Sequence, residues 1–138
     1  MKIYIFIFLF ASSIFSADSI TTEVKIQGIT INGNNVYLAI FNSVDAYKKQ
    51  TPYKSIIKTA THSSLTLNTN LPQGEYVFSV FQDLNGNRKL DFNFLGMPKE
   101  PFGISNYTGK GIPGGFEKQK VKIDSSTKNI IVPLVKMF

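Results

Sequence analysis

The stretch "LPQGEYVFSVFQD", residues 71–83, decides the fold. Pro72 and Gly74 make a turn, and the chain after it alternates with period two. Tyr76, Phe78 and Val80 fall on one face, and Val77, Ser79 and Phe81 on the other; that period marks a β-strand. The same rhythm runs outward in both directions. "ITTEVKIQGI" (20–29) sets Ile20, Val24 and Ile26 against Thr21, Glu23 and Lys25, and "NVYLAIF" (35–41) is apolar on both faces, as in a central strand. "SIIKTA" (55–60), "SSLTLNT" (63–69), "QKVKID" (119–124) and "NIIVPLV" (129–135) complete the set. Pro133 lacks an N–H donor and points to an edge or a bulge. Lys118, Lys120 and Lys122 share one face of their expected strand and read as a solvated edge protected against aggregation. Between strands, Asn32-Gly33 signals a turn, and Ser43 and Pro52 can cap and stop a single helical turn.

About seven short strands separated by turn signals, with no long helical periodicity, predict an all-β fold. The expected architecture is a single antiparallel β-sandwich. Gly74-x-Tyr76 at a strand start resembles the tyrosine corner of immunoglobulin-like sandwiches, whose hydroxyl bonds back to an upstream backbone group.

The first residues carry a different signal. Lys2 precedes an apolar run from Ile3 to Ala11, and small residues follow up to Ala17. This is the pattern of a secretory signal peptide over residues 1–17. The run is shorter than the about 20 apolar residues of a membrane span, and no cysteine follows it to accept a lipid. A mature chain from Asp18 to Phe138 would form one domain with its own core, secreted or periplasmic, without a membrane span. It would stand without disulfides. Loss of Lys2 takes the formal net charge from +6 to +5, and Arg88 is the sole arginine. Nucleic-acid readers lean on arginine forks, so that class is excluded.

Rhythm fails between Phe92 and Phe116. Six glycines and Pro98, Pro101 and Pro113 occur here together with Phe92, Phe94, Leu95, Phe102, Ile104 and Phe116. A disordered linker is poor in such side chains, so the expectation is one long ordered loop pinned to the sandwich by its aromatics.

"DLNGNRKLDFN", residues 83–93, precedes that loop. Calcium takes six to eight hard oxygen ligands, which a tight loop can supply from alternate residues. Asp83, Asn85, Asn87, the Lys89 carbonyl and Asp91 match the first part of an EF-hand loop. Two departures follow. Arg88 stands where glycine makes the sharp turn, and Phe94 stands where a glutamate closes the shell. Asn93 or Glu100 could complete a partial site. The other reading is a turn in which Asn and Asp bond their own backbone, and spacing alone leaves both open.

Catalysis has little to work with. There is no cysteine, and the one histidine, His62, lies between two expected strands without a nucleophile elbow nearby. One histidine and no thiol cannot satisfy zinc or copper in the usual way. The remaining enzymatic option is a hydrolase built on Asp83, Asp91 or Glu100.

Residues 71–106 and "GGFEKQKVKI" (114–123) resemble the bacterial secreted proteins catalogued as domain of unknown function 2141. The resemblance rests on the Pro-x-Gly-x-Tyr turn, the Asp-x-Asn-x-Asn-x-x-x-Asp loop and "FLGMPKEPFGISN" (94–106). It implies an immunoglobulin- or transthyretin-like sandwich, usually exported, and supplies no reaction. Gln82 stands where that family often has histidine, and Arg88 where it often has glycine. The expectation is therefore an exported, non-catalytic binding or scaffold domain, with Ca²⁺ as the sole cofactor considered. Its partner would be a protein or glycan of the cell envelope, met through Asn93, Glu100, Phe102, Asn106 and Tyr107. The alternative is a small-molecule or carbohydrate binder that uses the loop aromatics as a stacking platform.

Overall fold

The computed structural model describes residues 18–137; the expected signal peptide lies outside them. The elements run β1 (Ser19–Gln27), β2 (Asn35–Phe41), α1 (Val44–Lys49), β3 (Lys54–Thr59), β4 (Ser64–Pro72), β5 (Gly74–Gln82), β6 (Phe102–Ile104), α2 (Phe116–Gln119), β7 (Val121–Ile123) and β8 (Asn129–Pro133). Two sheets form the expected β-sandwich. The smaller has the order β4-β1-β8; the larger has the order β3-β2-β5-β6, with β7 also paired to β5. Every pairing is antiparallel except β1 with β8, which is parallel. The last strand therefore departs from the purely antiparallel expectation. It crosses over from the larger sheet and reaches the free edge of β1 running in the same direction.

Period-two alternation explains the core. Val24, Ile26, Leu65, Leu67, Leu71, Ile130 and Val132 point inward from the smaller sheet, and Val36, Leu38, Ile40, Tyr76, Phe78, Val80 and Ile123 meet them from the larger. Burying each of the larger side chains contributes about 1.5–3 kcal/mol. The corner between β4 and β5 is closed as expected: the Tyr76 hydroxyl donates to the Pro72 carbonyl at 2.7 Å. Burial, and then the nearby Tyr53 hydroxyl, push the Tyr76 pKa upward. The expected helical turn is α1, whose Ser43 hydroxyl accepts from the Ala46 N–H.

The outer face of the larger sheet is apolar too, and it carries a second cluster of Phe41, Val77, Phe102, Ile104 and Phe116. β6, which the glycine-rich sequence conceals, lies inside the expected loop and pairs with β5. Gly103 makes this possible, because a Cβ there would sit 2.5 Å from the Pro133 carbonyl oxygen. Ser105 locks the same region: its hydroxyl donates to the Gln119 carbonyl at 2.7 Å and accepts from the Phe78 N–H. The lysine stripe expected on one strand face does not form. Lys118 lies in α2, and Lys120 is paired with Glu75 and Glu117. Those two carboxylates raise the Lys120 pKa.

Candidate functional site

Asp83 leaves the end of β5 with its side chain only 1 % exposed. Its two carboxylate oxygens accept from the Gly86 and Arg88 N–H groups, each at 2.8 Å. Asn85 and Asn87 accept from the N–H two residues on, at 3.1 and 3.0 Å. Their amide groups donate to the Asp91 carboxylate at 2.7–2.9 Å, which holds its pKa below the ordinary carboxylate value. Glu100, also buried, closes the loop from outside: its oxygens accept from Leu84 N–H at 3.0 Å and Asp91 N–H at 3.3 Å. Arg88 adopts φ 64°, so the left-handed turn forms here without glycine. The structure thus brings together Asp83, Asn85, Asn87, Asp91 and Glu100, with Lys89 on the same loop. Among the described residues, no group of three or more His, Cys, Asp or Glu is placed to hold a metal ion.

Beyond Asp91 the chain folds into a small closed hairpin. Lys99 N–H donates to the Asp91 carbonyl and Asn93 N–H to the Met97 carbonyl. The Asn93 side chain accepts from the Leu95 and Met97 N–H groups. Phe94 and Leu95 sit at the tip of this finger. Phe92, Phe94 and Leu95 do not pin the loop as expected; they face outward. The pinning falls to Phe102, Ile104 and Phe116, which are buried. Phe102 is 5 % exposed, so it is not an exposed contact aromatic. Tyr107 is half-buried, stacked on Phe102 at 5.7 Å, and its hydroxyl donates to the Gly111 carbonyl. Tyr107 is thus taken up by packing, whereas Phe102, although buried, still forms part of the floor of a groove on the same face. Asn106, at φ 59°, donates to the Lys120 carbonyl, a turn-holding contact. Gln82 is buried, and its amide pairs with both the N–H and the carbonyl of Thr30. His62 is exposed, beside Thr61.

What the sequence reading missed is a groove of about 800 Å³ across the outer face of the larger sheet. Strand register explains its shape. Ser55, Ala39, Ser79 and Ile104 lie side by side across four strands, as do Ile57, Tyr37, Phe81 and Phe102. The first row begins with three small side chains and is low; the second is tall, with Tyr37 and Phe81 stacked at 4.7 Å. Small residues beside a bulky row leave a trough. The finger adds Leu90, Phe92, Leu95 and Met97 to its walls, and Ile112 and Tyr47 contribute from elsewhere. All of the lining side chains are uncharged. The signal was present in the sequence as the second apolar face of β2, which reads equally well as a strand covered on both sides.

A family model described as an uncharacterized protein conserved in bacteria, DUF2141, matches residues 24–131. The chain belongs to this family. The match runs from within β1 to within β8 and so includes the Asp83–Asp91 loop, the finger and all of the groove lining of this DUF2141 protein except Met137. No curated protein and no solved structure matches the chain.

Proposed function

We propose that this DUF2141 protein is an exported, non-catalytic binding module whose site is the groove on the outer face of the larger sheet. The observation that carries this reading is the trough of about 800 Å³ with uncharged walls, a size and lining suited to a small apolar molecule. A sugar would leave most of its hydroxyls without partners there, since few polar groups besides Ser55, Ser79, Gln50 and the tyrosines line it. The non-catalytic part rests on the carboxylates: Asp83 and Glu100 spend their oxygens on backbone N–H donors, and Asp91 accepts from two amides. The apolar leader motivates export. Titration with the uncharged fluorophore N-phenyl-1-naphthylamine tests the groove. Saturable binding is expected, lost in Ala39→Trp, which fills the trough, with the thermal transition retained. Absence of saturable binding, or equal binding by the filled variant, would refute it. A glycan panel followed by saturation-transfer NMR should give no signal.

A second reading concerns Ca²⁺. Asn85, Asn87 and Asp91 converge, and Asp83 and Glu100 stand at the two ends of the loop. With the two amides turned, their oxygens, Asp83, Asp91 and the Lys89 carbonyl would supply part of a calcium shell. The test is the melting temperature of chelator-treated protein against calcium, with magnesium as control. A saturable rise selective for calcium and lost in Asp91→Asn supports this reading; no shift up to millimolar calcium leaves the loop a self-bonded turn.

A further inference from the structure

The three most exposed large apolar side chains, Phe94, Ile112 and Leu95, stand on two separate loops beside the groove. Phe94 is 95 % exposed, Leu95 68 % and Phe92 57 % on the finger; Ile112 is 91 % exposed on the segment after β6. Leu95, Phe92 and Ile112 all line the groove, so the two tips share its rim. Water gains nothing from such side chains, and a cluster of this kind marks a contact surface. The finger is not loose: the two N–H bonds to the Asn93 side chain and the backbone bonds from Lys99 to Asp91 and from Asn93 to Met97 fix its tip.

Charge says what covers it. Lys89 and Lys99 bracket the finger and Lys110 precedes Ile112; all three are exposed, and none makes an ion pair among the described residues. The one carboxylate on the finger, Asp91, is held by Asn85 and Asn87. The chain from Asp18 onward carries a net charge of +5, the full +6 less Lys2. Apolar tips ringed by unpaired lysines complement a surface that is apolar beneath and anionic above.

We infer that the Phe94–Leu95 tip and Ile112 insert into the headgroup boundary of an anionic lipid bilayer, with Lys89, Lys99 and Lys110 on its phosphates. Docking stands on the exposed tips and the lysines around them, not on the groove. Its consequence, that the groove then opens toward the acyl chains and draws its apolar ligand from them, rests on the groove reading above.

Flotation of the exported chain, from Asp18 onward, with phosphatidylcholine vesicles lacking or containing phosphatidylglycerol tests the inference. The protein should float with the anionic vesicles and be released as ionic strength rises. Phe94→Ser and Ile112→Ser should each weaken binding about tenfold, and Lys89→Glu with Lys99→Glu should abolish it. Failure to float, or flotation unchanged in the serine variants, overturns the proposal. So does a concentration-dependent dimer, seen by sedimentation and lost in the same variants without vesicle binding, because a second copy would then cover the tips. Ala39→Trp should float like the parent. If the parent floats but does not bind the naphthylamine, the groove reading fails and the docking stands.

Discussion

Asp83 and Arg88 show how a side chain can overrule a backbone preference. An arginine in the left-handed region costs roughly 1–2 kcal/mol relative to its ordinary conformations. It is held there because Asp83 accepts its N–H at 2.8 Å. Arg88→Gly should therefore raise unfolding stability in urea by about 0.5–1 kcal/mol, part of the relief being offset by the greater freedom of glycine in the unfolded chain. Asp91 gives a pH prediction. Hydrogen bonds from Asn85 and Asn87, and then the charges of Lys99 and Lys89, hold its folded pKa below the ordinary carboxylate value. A depressed pKa means that the folded state favours the ionised form. The stabilisation is present above about pH 4 and is lost as pH falls through the folded pKa. The melting-temperature gap between the parent and Asp91→Asn should accordingly close on acidification. A gap that stays constant with pH would show that the amide contacts carry no charge dependence.

At the scale of elements, three residues of strand change the topology. β6 hides in a run rich in glycine and proline, and its pairing with β5 depends on Gly103 lying against the Pro133 carbonyl. Gly103→Ala should cost about 1–3 kcal/mol, the range for overpacking a tight core, and should loosen the Phe102–Val135 bridge. Hydrogen exchange at the Phe102 and Val135 amides, which bond each other's carbonyls at 3.0 and 2.8 Å, is the local readout. The parallel β1–β8 pair has the same character. Alternation in "NIIVPLV" defines a strand but not its partner, since one inward face fits either edge of the smaller sheet.

For the whole molecule, the two clusters divide the work. The inner one, between the sheets, needs every member buried. The outer one covers only part of the second apolar face and leaves the groove open. Side chains at the groove mouth should thus be dispensable for stability. The triple variant Phe94→Ser, Leu95→Ser, Ile112→Ser should unfold within about 0.5 kcal/mol of the parent in urea, as exposed substitutions usually do. A larger loss would mean that these side chains pack in solution.

Period-two alternation determined the strands of the all-β sandwich and the inward face of β1, because these depend on which side of a strand a residue falls, and the Gly74-x-Tyr76 turn marked the tyrosine corner; which apolar face of β2 and β5 turns inward was left to the fold. The sequence also identified the polar loop, whose Asx spacing is local. The turns of that loop are local too, whereas its closure by Glu100 needs a residue nine positions beyond Asp91. Tertiary structure decided the rest. Only the folded chain shows that Phe102 and Tyr107 pack while Phe94 and Ile112 project, since the aromatic residues in the loop look alike until neighbours claim some of them. The groove likewise exists only once register sets Ala39 beside Ser55 and Ser79. Three small residues far apart in sequence make a hollow only when strand pairing aligns them.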